Sequence, residues 1–497
     1  MTPPGAPASR QGHRFDLAEV AYLVSPAGRQ ALAAAEELPL TDPLRDIPRI
    51  RRTAGDLAAA VYETATLRRR AAVKFGPGAN RWLWTETALQ QGSPGPVARY
   101  RAARLAAAGV AVHDLTCSVG ADLVPLIAAA SSGAGALERT VGGVAERVAG
   151  GVTAGTVGSD LDPVRVAMAA HNLAAEGLPG RVFRADALTR TSRGLLGYAD
   201  PARRDGSGRR ITTADTVPSV ADLDRVHADR PPLLRLPPGI DYWALGRPGE
   251  VEIVSLDGVA REALLWPPDL ATTARRASVL RSIAGAAGEV GAGGALVPSG
   301  DRPIAGQDET AGAPAMSGKS DSPRRVRNHE QQQFSVETVT TDDPDDCTVT
   351  GAGAVLVDPD PAVIRAGLVR HWAARHGLTQ LDPQLAYLTG PAAPPRVRAF
   401  RVLDQAPFTE RTVAGWIRDS GIGTLEIKQR GTSVIPDELR RRLRSAMTRD
   451  TTAMATLVLA RIGREVTAFW CRAEPGCYRR PVSTESALPG SRSDHVD

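Results

Sequence analysis

The stretch VHDLTCSVGADL, residues 112–123, decides the fold of this chain. An apolar run ends at Asp114, a short loop leads to Gly120, and an apolar helical pattern follows. A strand that turns so tightly into a helix is typical of an open α/β sheet, which binds ligands outside the carboxyl ends of its strands. The segment therefore predicts one strand of such a sheet, with Asp114 at its end.

Three more carboxylates follow in order, each at or just after the end of a short apolar run. They are Asp160 in VGSDLDP, Asp186 in RADAL and Asp200 in YADPARR. At such positions Asp160 can accept hydrogen bonds from the two hydroxyls of a ribose, and Asp186 can hold the exocyclic amine of adenine. Asp200 precedes Pro201 and can orient an acceptor amine at the exit of a strand. Together the four indicate a sheet that binds a nucleoside.

Most of these aspartates can also be explained by local backbone structure alone. The loop after Asp114 fits a plain strand-to-helix turn, Asp186 fits a cap of the next helix, and Asp200-Pro201 fits a turn. Asp162-Pro163 is explained as the N-cap and first turn of a helix. The nucleoside interpretation depends on finding all four acids in this order.

Composition and periodicity divide the chain into six segments. Apolar runs alternate with helical patterns in the central part, which favours a parallel sheet covered by helices. A Gly-, Ser-, Asp- and Gln-rich stretch separates it from a second α+β region. The predicted segments are a disordered N-terminus (1–14), a helical cap (15–72), the α/β domain (73–283), a disordered insertion (284–350), the α+β domain (351–480) and a disordered tail (481–497).

Composition limits the cellular setting and excludes several site types. The four cysteines show no paired CxxC spacing, which argues against a zinc site or a disulfide framework and suits a reducing cytoplasm. The start of the chain lacks the apolar region of a signal peptide, and no apolar run approaches the roughly 18 residues of a membrane span. We therefore expect a cytoplasmic protein without membrane or metal partners. A net charge of +5 is compatible with a polyanionic partner but does not require one.

These motifs in this order resemble those of class I S-adenosylmethionine-dependent methyltransferases. The segment KFGPGANRWLWTETALQQ, residues 74–91, looks like the one that precedes the first motif in one bacterial group. Members of that group have a C-terminal THUMP-like domain and a catalytic part similar to trimethylguanosine synthase. The resemblance implies a Rossmann-like seven-stranded methyltransferase sheet with an N-terminal helical cap and a C-terminal α+β THUMP-like domain.

The resemblance also assigns roles to individual residues. S-adenosylmethionine is the implied cofactor, with its methionine part held by the loop from Asp114 through Thr116 and Ser118 to Gly120, its ribose by Asp160 and its adenine by Asp186. Asp200, Pro201 and Arg203 become the catalytic residues, and Asp200 with the Pro201 carbonyl positions the acceptor amine. No metal is required. The implied activity is methylation of an exocyclic base nitrogen in RNA, because THUMP-type domains bind RNA; Lys428 and Arg430 are candidates for that contact.

Two positions depart from the family pattern. Ser118 stands where many of these enzymes have glycine, and Arg203 stands where nitrogen methyltransferases often have an aromatic residue that stacks on the acceptor base. Arg203 can stack through its guanidinium plane, or Trp82, Trp84 or Trp243 can take that role.

Two other hypotheses therefore remain open. One is a catalytically degenerate methyltransferase fold that serves as an RNA-binding protein, which the missing loop glycine permits. The other is a nicotinamide-dependent oxidoreductase, which the absence of a GxGxxG motif disfavours.

Overall fold

Four helices open the described part of the chain. The computed structural model describes residues 12–131, 155–203, 216–283, 334–449 and 451–474. The side chains of Asp16, Ser25 and Asp42 accept backbone N–H bonds and so begin the first three helices. One apolar core joins all four helices to Trp82 and Trp84. The helices are α1 (Leu17–Val24), α2 (Pro26–Glu36), α3 (Pro43–Ala54) and α4 (Ala58–Phe75).

The next part of the chain alternates helices and strands. The side chain of Asp162 accepts the Val164 N–H, so it caps the helix after the second strand as predicted. The elements are α5 (Glu86–Gln91), α6 (Gly95–Ala107), β1 (Val112–Asp114), α7 (Leu123–Ser131), β2 (Val157–Asp160), α8 (Pro163–Ala175), β3 (Arg181–Arg184), β4 (Leu196–Ala199), β5 (Ala202–Arg203), β6 (Thr216–Val217), α9 (Val220–Val226), β7 (Leu233–Leu236), β8 (Glu250–Leu256), β9 (Val259–Trp266), β10 (Arg275–Ser282) and β11 (Phe334–Thr340).

Nine of these strands form one mixed sheet in the order β11-β10-β8-β9-β7-β4-β1-β2-β3. Strands β1 to β4 and β7 run parallel, while β9 is antiparallel to both β7 and β8. The α/β class is therefore confirmed, and a hairpin turn at Asp257-Gly258, a dipeptide typical of such turns, joins β8 to β9. The expected count of seven strands is exceeded, because β10 and β11 extend the edge beyond β8.

The strand β11 corrects the predicted disordered insertion at 284–350. Residues 284–333 of that segment lie outside the described part, but 334–340 pair with β10 along their whole length. The polar composition of the surrounding segment conceals a short stretch, Val336 to Thr340, in which every residue except Glu337 is β-branched, and this composition suits a half-buried strand. The predicted disordered termini fall mostly outside the described residues, which begin at 12 and end at 474.

The C-terminal part forms a second sheet of seven strands, in the order β13-β14-β12-β15-β18-β17-β16. The apolar periodicity over 361–376 suits a single helix, but Gly367, with a φ of 65°, divides it into two, and the side chain of Asp360 caps the first. The elements are β12 (Val355–Asp358), α10 (Pro361–Arg365), α11 (Val369–Arg375), β13 (Thr379–Gln380), β14 (Leu388–Gly390), β15 (Arg398–Pro407), α12 (Glu410–Ser420), β16 (Thr424–Arg430), α13 (Pro436–Leu443), β17 (Met454–Ile462) and β18 (Glu465–Ala473).

The two sheets share an apolar core. Val355 and Val357 of β12 pack with Trp372 of α11 and with Leu234 and Ile253 of the large sheet. Helices α12 and α13 cover the strands β16 to β18 on one side. Among the described residues, no helix is both long enough and apolar enough to cross a membrane.

Candidate active site

The predicted site residues meet at one edge of the large sheet. Strand β1 lies between β2 and β4, and Asp114 pairs with Gly158 and with Tyr198. Asp160 ends β2, and Asp200 follows β4 directly. Because parallel strands end at the same edge, these three carboxylates lie at the ends of adjacent strands. Asp186, two residues beyond β3, belongs to the same edge.

The loop from Asp114 to Gly120 keeps a glycine-like backbone despite its serine. Ser118 has a φ of 50° and Gly120 a φ of 85°, both in the left-handed region. The Ser118 N–H donates to Oδ2 of Asp160 over 3.0 Å, and the Asp162 N–H donates to Oδ1 over 2.9 Å. The departure at Ser118 therefore changes the residue and leaves the turn intact.

Asp114 is buried and only partly hydrogen-bonded. Its Oδ1 accepts the Thr116 N–H over 3.3 Å, whereas its buried Oδ2 has no hydrogen-bond partner within the described ranges. Burial and the nearby Asp122 carboxylate raise the pKa of Asp114 well above its usual value. A buried carboxyl oxygen without a hydrogen-bond partner suits a ligand that donates hydrogen bonds, or one with a positive charge, which would favour the ionised form of Asp114.

Asp200 is held at two points. Its backbone N–H donates to Oγ1 of Thr116 over 2.8 Å, and its Oδ2 forms an ion pair with Arg235 of β7. Removal from water raises the pKa of Asp200 to about 6, because this effect outweighs the attraction of Arg235. The side chain is 33% exposed, and none of the described residues donates to its Oδ1. One carboxylate oxygen is thus anchored, while Oδ1 has no donor among the residues that the structure describes.

A buried ionic network that the sequence did not reveal surrounds these carboxylates. Arg235 Nε lies 3.0 Å from Glu262 of β9, and Glu262 also accepts from Arg101 of α6 over 2.6 Å. Arg101 reaches Asp122 over 2.5 Å, and Tyr198 Oη donates to Asp122 over 2.9 Å. The network therefore joins β7, β9, α6 and the start of α7 beneath the site.

Acidic groups outnumber basic groups in this network. Four carboxyl groups lie near two guanidinium groups, so a cationic ligand at this edge would favour the ionised form of Asp114, whose pKa is raised in its absence. The carboxylates are those of Asp114, Asp122, Asp200 and Glu262, and the guanidinium groups those of Arg101 and Arg235.

The remaining predicted residues have simpler surroundings. Asp186 is exposed, and its Oδ1 accepts the Leu188 N–H over 2.9 Å in a turn, so it does not cap a helix. Gly120 lies against Ala169 of α8. Pro201 is buried. The backbone of Arg203 pairs with Thr216, and its side chain lies outside the described part of the structure.

None of the three tryptophans considered for base stacking presents an exposed ring at this edge. Trp82 and Trp84 are buried and stack on each other with ring centroids 5.5 Å apart. Trp243 is 67% exposed, but Arg275 lies over its ring at 5.3 Å. Since β10 runs in the same direction as β4, Arg275 at its start lies on the opposite edge from Asp200.

Comparison with known proteins identifies the family. The chain is 39% identical over 428 residues to proteins named uncharacterized S-adenosylmethionine-dependent methyltransferases in two strains of Mycobacterium tuberculosis, CDC 1551 / Oshkosh and H37Rv. The match covers 84% of this chain and 98% of each relative. The chain belongs to the S-adenosylmethionine-dependent methyltransferases. The predicted enzyme class and cofactor are therefore confirmed.

Further matches concern the ends and the fold of this methyltransferase. Residues 397–473 match the family described as THUMP domain-like, and residues 16–71 match a domain of unknown function, DUF8688. A crystal structure of a methyltransferase from Porphyromonas gingivalis W83 superposes with a TM-score of 0.57 at 19% identity, covering 89% of this chain and 98% of that one. That likeness supports the fold alone.

The site residues that sequence analysis did not identify share one recognisable feature. Arg235 in LLRL and Glu262 in VAREALLW are charged residues inside apolar strand patterns, and Arg101 occupies the buried side of α6. A charge at a core position is expensive unless it is paired. Such positions therefore predict partners, although the sequence does not say which charges pair.

Proposed function

We propose that this methyltransferase transfers the methyl group of S-adenosylmethionine to an exocyclic amine of a base in RNA. The observation that supports this most is Asp200, whose carboxylate follows β4 with one oxygen anchored by Arg235 and the other without a donor among the described residues. Methyl transfer to an amine requires alignment more than acid or base strength, because the cofactor, when bound, supplies an already activated methyl group. A fixed acceptor of hydrogen bonds at the cofactor edge meets that requirement.

The residues at the edge fit the charges of this cofactor. Its sulfonium and amino groups are cationic, and the unpartnered Oδ2 of Asp114 and the excess of carboxylates suit them. In the proposed arrangement the loop of Asp114, Thr116, Ser118 and Gly120 holds the methionine part. Asp160, buried at the end of β2, holds the ribose hydroxyls, and Asp186 holds the adenine.

The catalytic part of the proposal concerns the acceptor amine. Oδ1 of Asp200 accepts a hydrogen bond from one amine N–H and the Pro201 carbonyl accepts one from the other, which turns the nitrogen lone pair toward the methyl group. Asp200 thus orients the amine and removes no proton before transfer; the proton that the methylated nitrogen must then lose would pass to this carboxylate or to water. Arg203 takes the place of the usual aromatic residue and stacks on the base through its guanidinium plane.

A cationic cluster on the C-terminal sheet supports RNA as the acceptor. Arg398 and Lys428 both contact Oε1 of Glu426, at 2.6 and 3.3 Å, and both lie over the ring of Phe400. Arg430 pairs with Asp358 and lies over the ring of Tyr387. Three cations thus lie close to two carboxylates, and burial together with Arg398 lowers the pKa of Lys428. Such crowding of like charges favours an anionic partner, such as a phosphate.

The position of this cluster relative to Asp200 suits a nucleic acid strand. Asp358, the partner of Arg430, lies two residues before Asp360, and Asp360 lies against Ser255 near the carboxyl end of β8. Three strand spacings, about 14 Å in all, separate β8 from β4 along the sheet. This spacing is only the part of the separation that lies along the sheet; we propose that a base at Asp200 and the phosphates of neighbouring nucleotides at the cluster belong to one strand.

Replacing Lys428 tests the contact with RNA. We expect Lys428→Gln to weaken RNA binding and to reduce the slope of log affinity against log salt by about 1. Stability should not fall, because the change removes a cation that repels Arg398. The control is Arg441→Gln, an exposed arginine of α13 in the same domain. An unchanged salt slope in Lys428→Gln, or an equal loss in the control, would remove this surface from the proposal.

The proposed reaction is tested by analysing nucleosides from total RNA. Cells that lack the gene should have lost one nucleoside methylated on an exocyclic nitrogen, and restoring the wild-type gene should restore it. Mass spectrometry of digested RNA measures this directly. If no RNA nucleoside changes while the purified protein binds RNA without S-adenosylmethionine, the protein is instead an RNA-binding protein with a degenerate methyltransferase fold.

A further inference from the structure

We infer that Arg235 is a positioning residue for methyl transfer, which fixes the place and the ionised state of the Asp200 carboxylate. The inference rests on the proposed role of Asp200 and adds a residue that belongs to none of the family motifs identified in the sequence. Arg235 lies in the middle of β7, next to β4, and Asp200 follows β4 directly.

Arg235 makes one contact that holds Asp200 and two contacts that hold Arg235 itself in place. Its Nη1 donates to Oδ2 of Asp200, its Nε donates to Glu262 over 3.0 Å, and its Nη2 donates to the Gln91 carbonyl over 2.9 Å. Each nitrogen of the guanidinium group therefore has a different partner, and the plane of the group is fixed. A lysine cannot reproduce three divergent contacts of this kind.

The far side of the network prevents Arg235 from moving away. Glu262 accepts from Ser93 over 2.8 Å and from Arg101 over 2.6 Å, and Arg101 is itself paired with Asp122. Ser93, Glu262 and Arg101 are all buried. The position of Asp200 is thus set through Arg235 by residues of β9, α6 and the segment before α6. A site held within a fraction of an ångström by such supports is what methyl transfer requires.

The charges around Asp200 make Arg235 decisive for its ionisation. The groups that face it are Arg235 from β7, Asp122 from the turn before α7, Arg101 from α6 and Glu262 from β9, with Asp114 of β1 nearby. Among them only Arg235 contacts its carboxylate within the described part of the chain. Without that cation, burial and the neighbouring carboxylates would keep Asp200 protonated near neutral pH.

A second arginine in the same domain provides a matched control. Arg247 is also buried, pairs with Asp224 over 3.1 Å and donates to the Leu265 carbonyl over 3.0 Å. Asp224 is 31% exposed, close to the 33% of Asp200. Arg247 lies just before β8, at the opposite edge of the sheet, so its loss affects stability without touching the proposed site.

The experiment compares Arg235→Gln, Arg235→Lys and Arg247→Gln in the full chain. One arm measures kcat and KM for methylation of total RNA between pH 5 and 9. The second arm needs no acceptor: calorimetry of S-adenosylmethionine binding near pH 7 in buffers of different ionisation enthalpy counts the protons released. Binding of the cationic cofactor favours ionised Asp200, so a protonated Asp200 releases its proton on binding.

For Arg235→Gln we expect kcat at pH 7 to fall about 10- to 100-fold, with KM little changed. The acid limb of the pH profile should move up by about one to three pH units, and cofactor binding should release up to about one additional proton. Arg235→Lys should restore the acid limb more than kcat, and Arg247→Gln should show neither effect.

If Arg235→Gln loses only stability, with the same pH profile and proton count as Arg247→Gln, the arginine is structural and the inference is wrong. Failure of the wild-type protein to methylate RNA would overturn the acceptor proposal instead. In that case the proton count alone decides whether Arg235 controls Asp200.

Discussion

Replacing Asp200 by alanine should reduce methyl transfer by about 10²- to 10⁴-fold and leave the affinity for S-adenosylmethionine nearly unchanged. The change removes the only side-chain oxygen that we propose for orienting the acceptor amine, whereas the proposed cofactor contacts lie on Asp114, Asp160 and Asp186. Turnover with labelled cofactor and equilibrium binding of the cofactor measure the two quantities separately.

The structure provides a matched control for this variant in Asp224. It is paired with a buried arginine and is exposed to nearly the same degree as Asp200, but it lies away from the site. Asp224→Ala should retain turnover. Comparing the two variants therefore separates the specific role of Asp200 from any general effect of breaking a carboxylate–arginine pair. Equal turnover in Asp200→Ala and wild type would contradict the catalytic role.

Replacing Asp114 by asparagine should weaken S-adenosylmethionine binding by about 10- to 100-fold and stabilise the free protein. The affinity falls because an amide cannot ionise, whereas a cationic ligand would favour the ionised form of the Asp114 carboxyl. Stability rises because the amide stays neutral, whereas an ionised Asp114 is buried and is repelled by Asp122 and Asp200. Opposed effects on ligand binding and on stability are typical of functional residues, because an arrangement suited to a ligand is often unfavourable in its absence.

The pH dependence of the stabilisation follows from the raised pKa of Asp114. In the unfolded chain an aspartate ionises near pH 4, while in the folded protein Asp114 resists ionisation. The folded state therefore loses stability as the pH rises above about 4, and the asparagine variant avoids that loss. We expect a gain of about 1 kcal/mol or more in the free energy of unfolding at pH 8 and little gain near pH 4.

A buried aspartate remote from the site serves as the control for this second variant. Asp46 of α3 is buried, and Asp46→Asn should leave cofactor affinity unchanged. Denaturation at several pH values and cofactor titration check both parts. If Asp114→Asn binds the cofactor as tightly as wild type, the unpartnered oxygen of Asp114 does not contribute to cofactor binding.

Local patterns were sufficient to predict the large sheet and the edge at which its carboxylates meet. Asp114, Asp160 and Asp200 could be placed because each ends or follows an apolar strand, and parallel strands end at one edge. The cap at Asp162 and the hairpin at Asp257-Gly258 follow from backbone chemistry within a few residues. These features depend on short-range order in the chain.

The features that could not be predicted depend on contacts between distant residues. Arg235 meets Asp200 only because β4 and β7 are neighbours, and Glu262 joins them only because β9 inserts between β7 and β8. The strand β11 was not predicted from the sequence, because its structure depends on pairing with β10 and its neighbours in the sequence are polar. The break at Gly367 also overrides an uninterrupted helical pattern.

The most direct test of the account uses purified protein, isotopically labelled S-adenosylmethionine and total RNA from cells that lack the gene. Mass spectrometry of the digested RNA then locates the label. The account predicts label on an exocyclic nitrogen of one nucleoside with wild type and Asp224→Ala, and almost none with Asp200→Ala. Label that appears on no RNA nucleoside, or equally with Asp200→Ala, would contradict it.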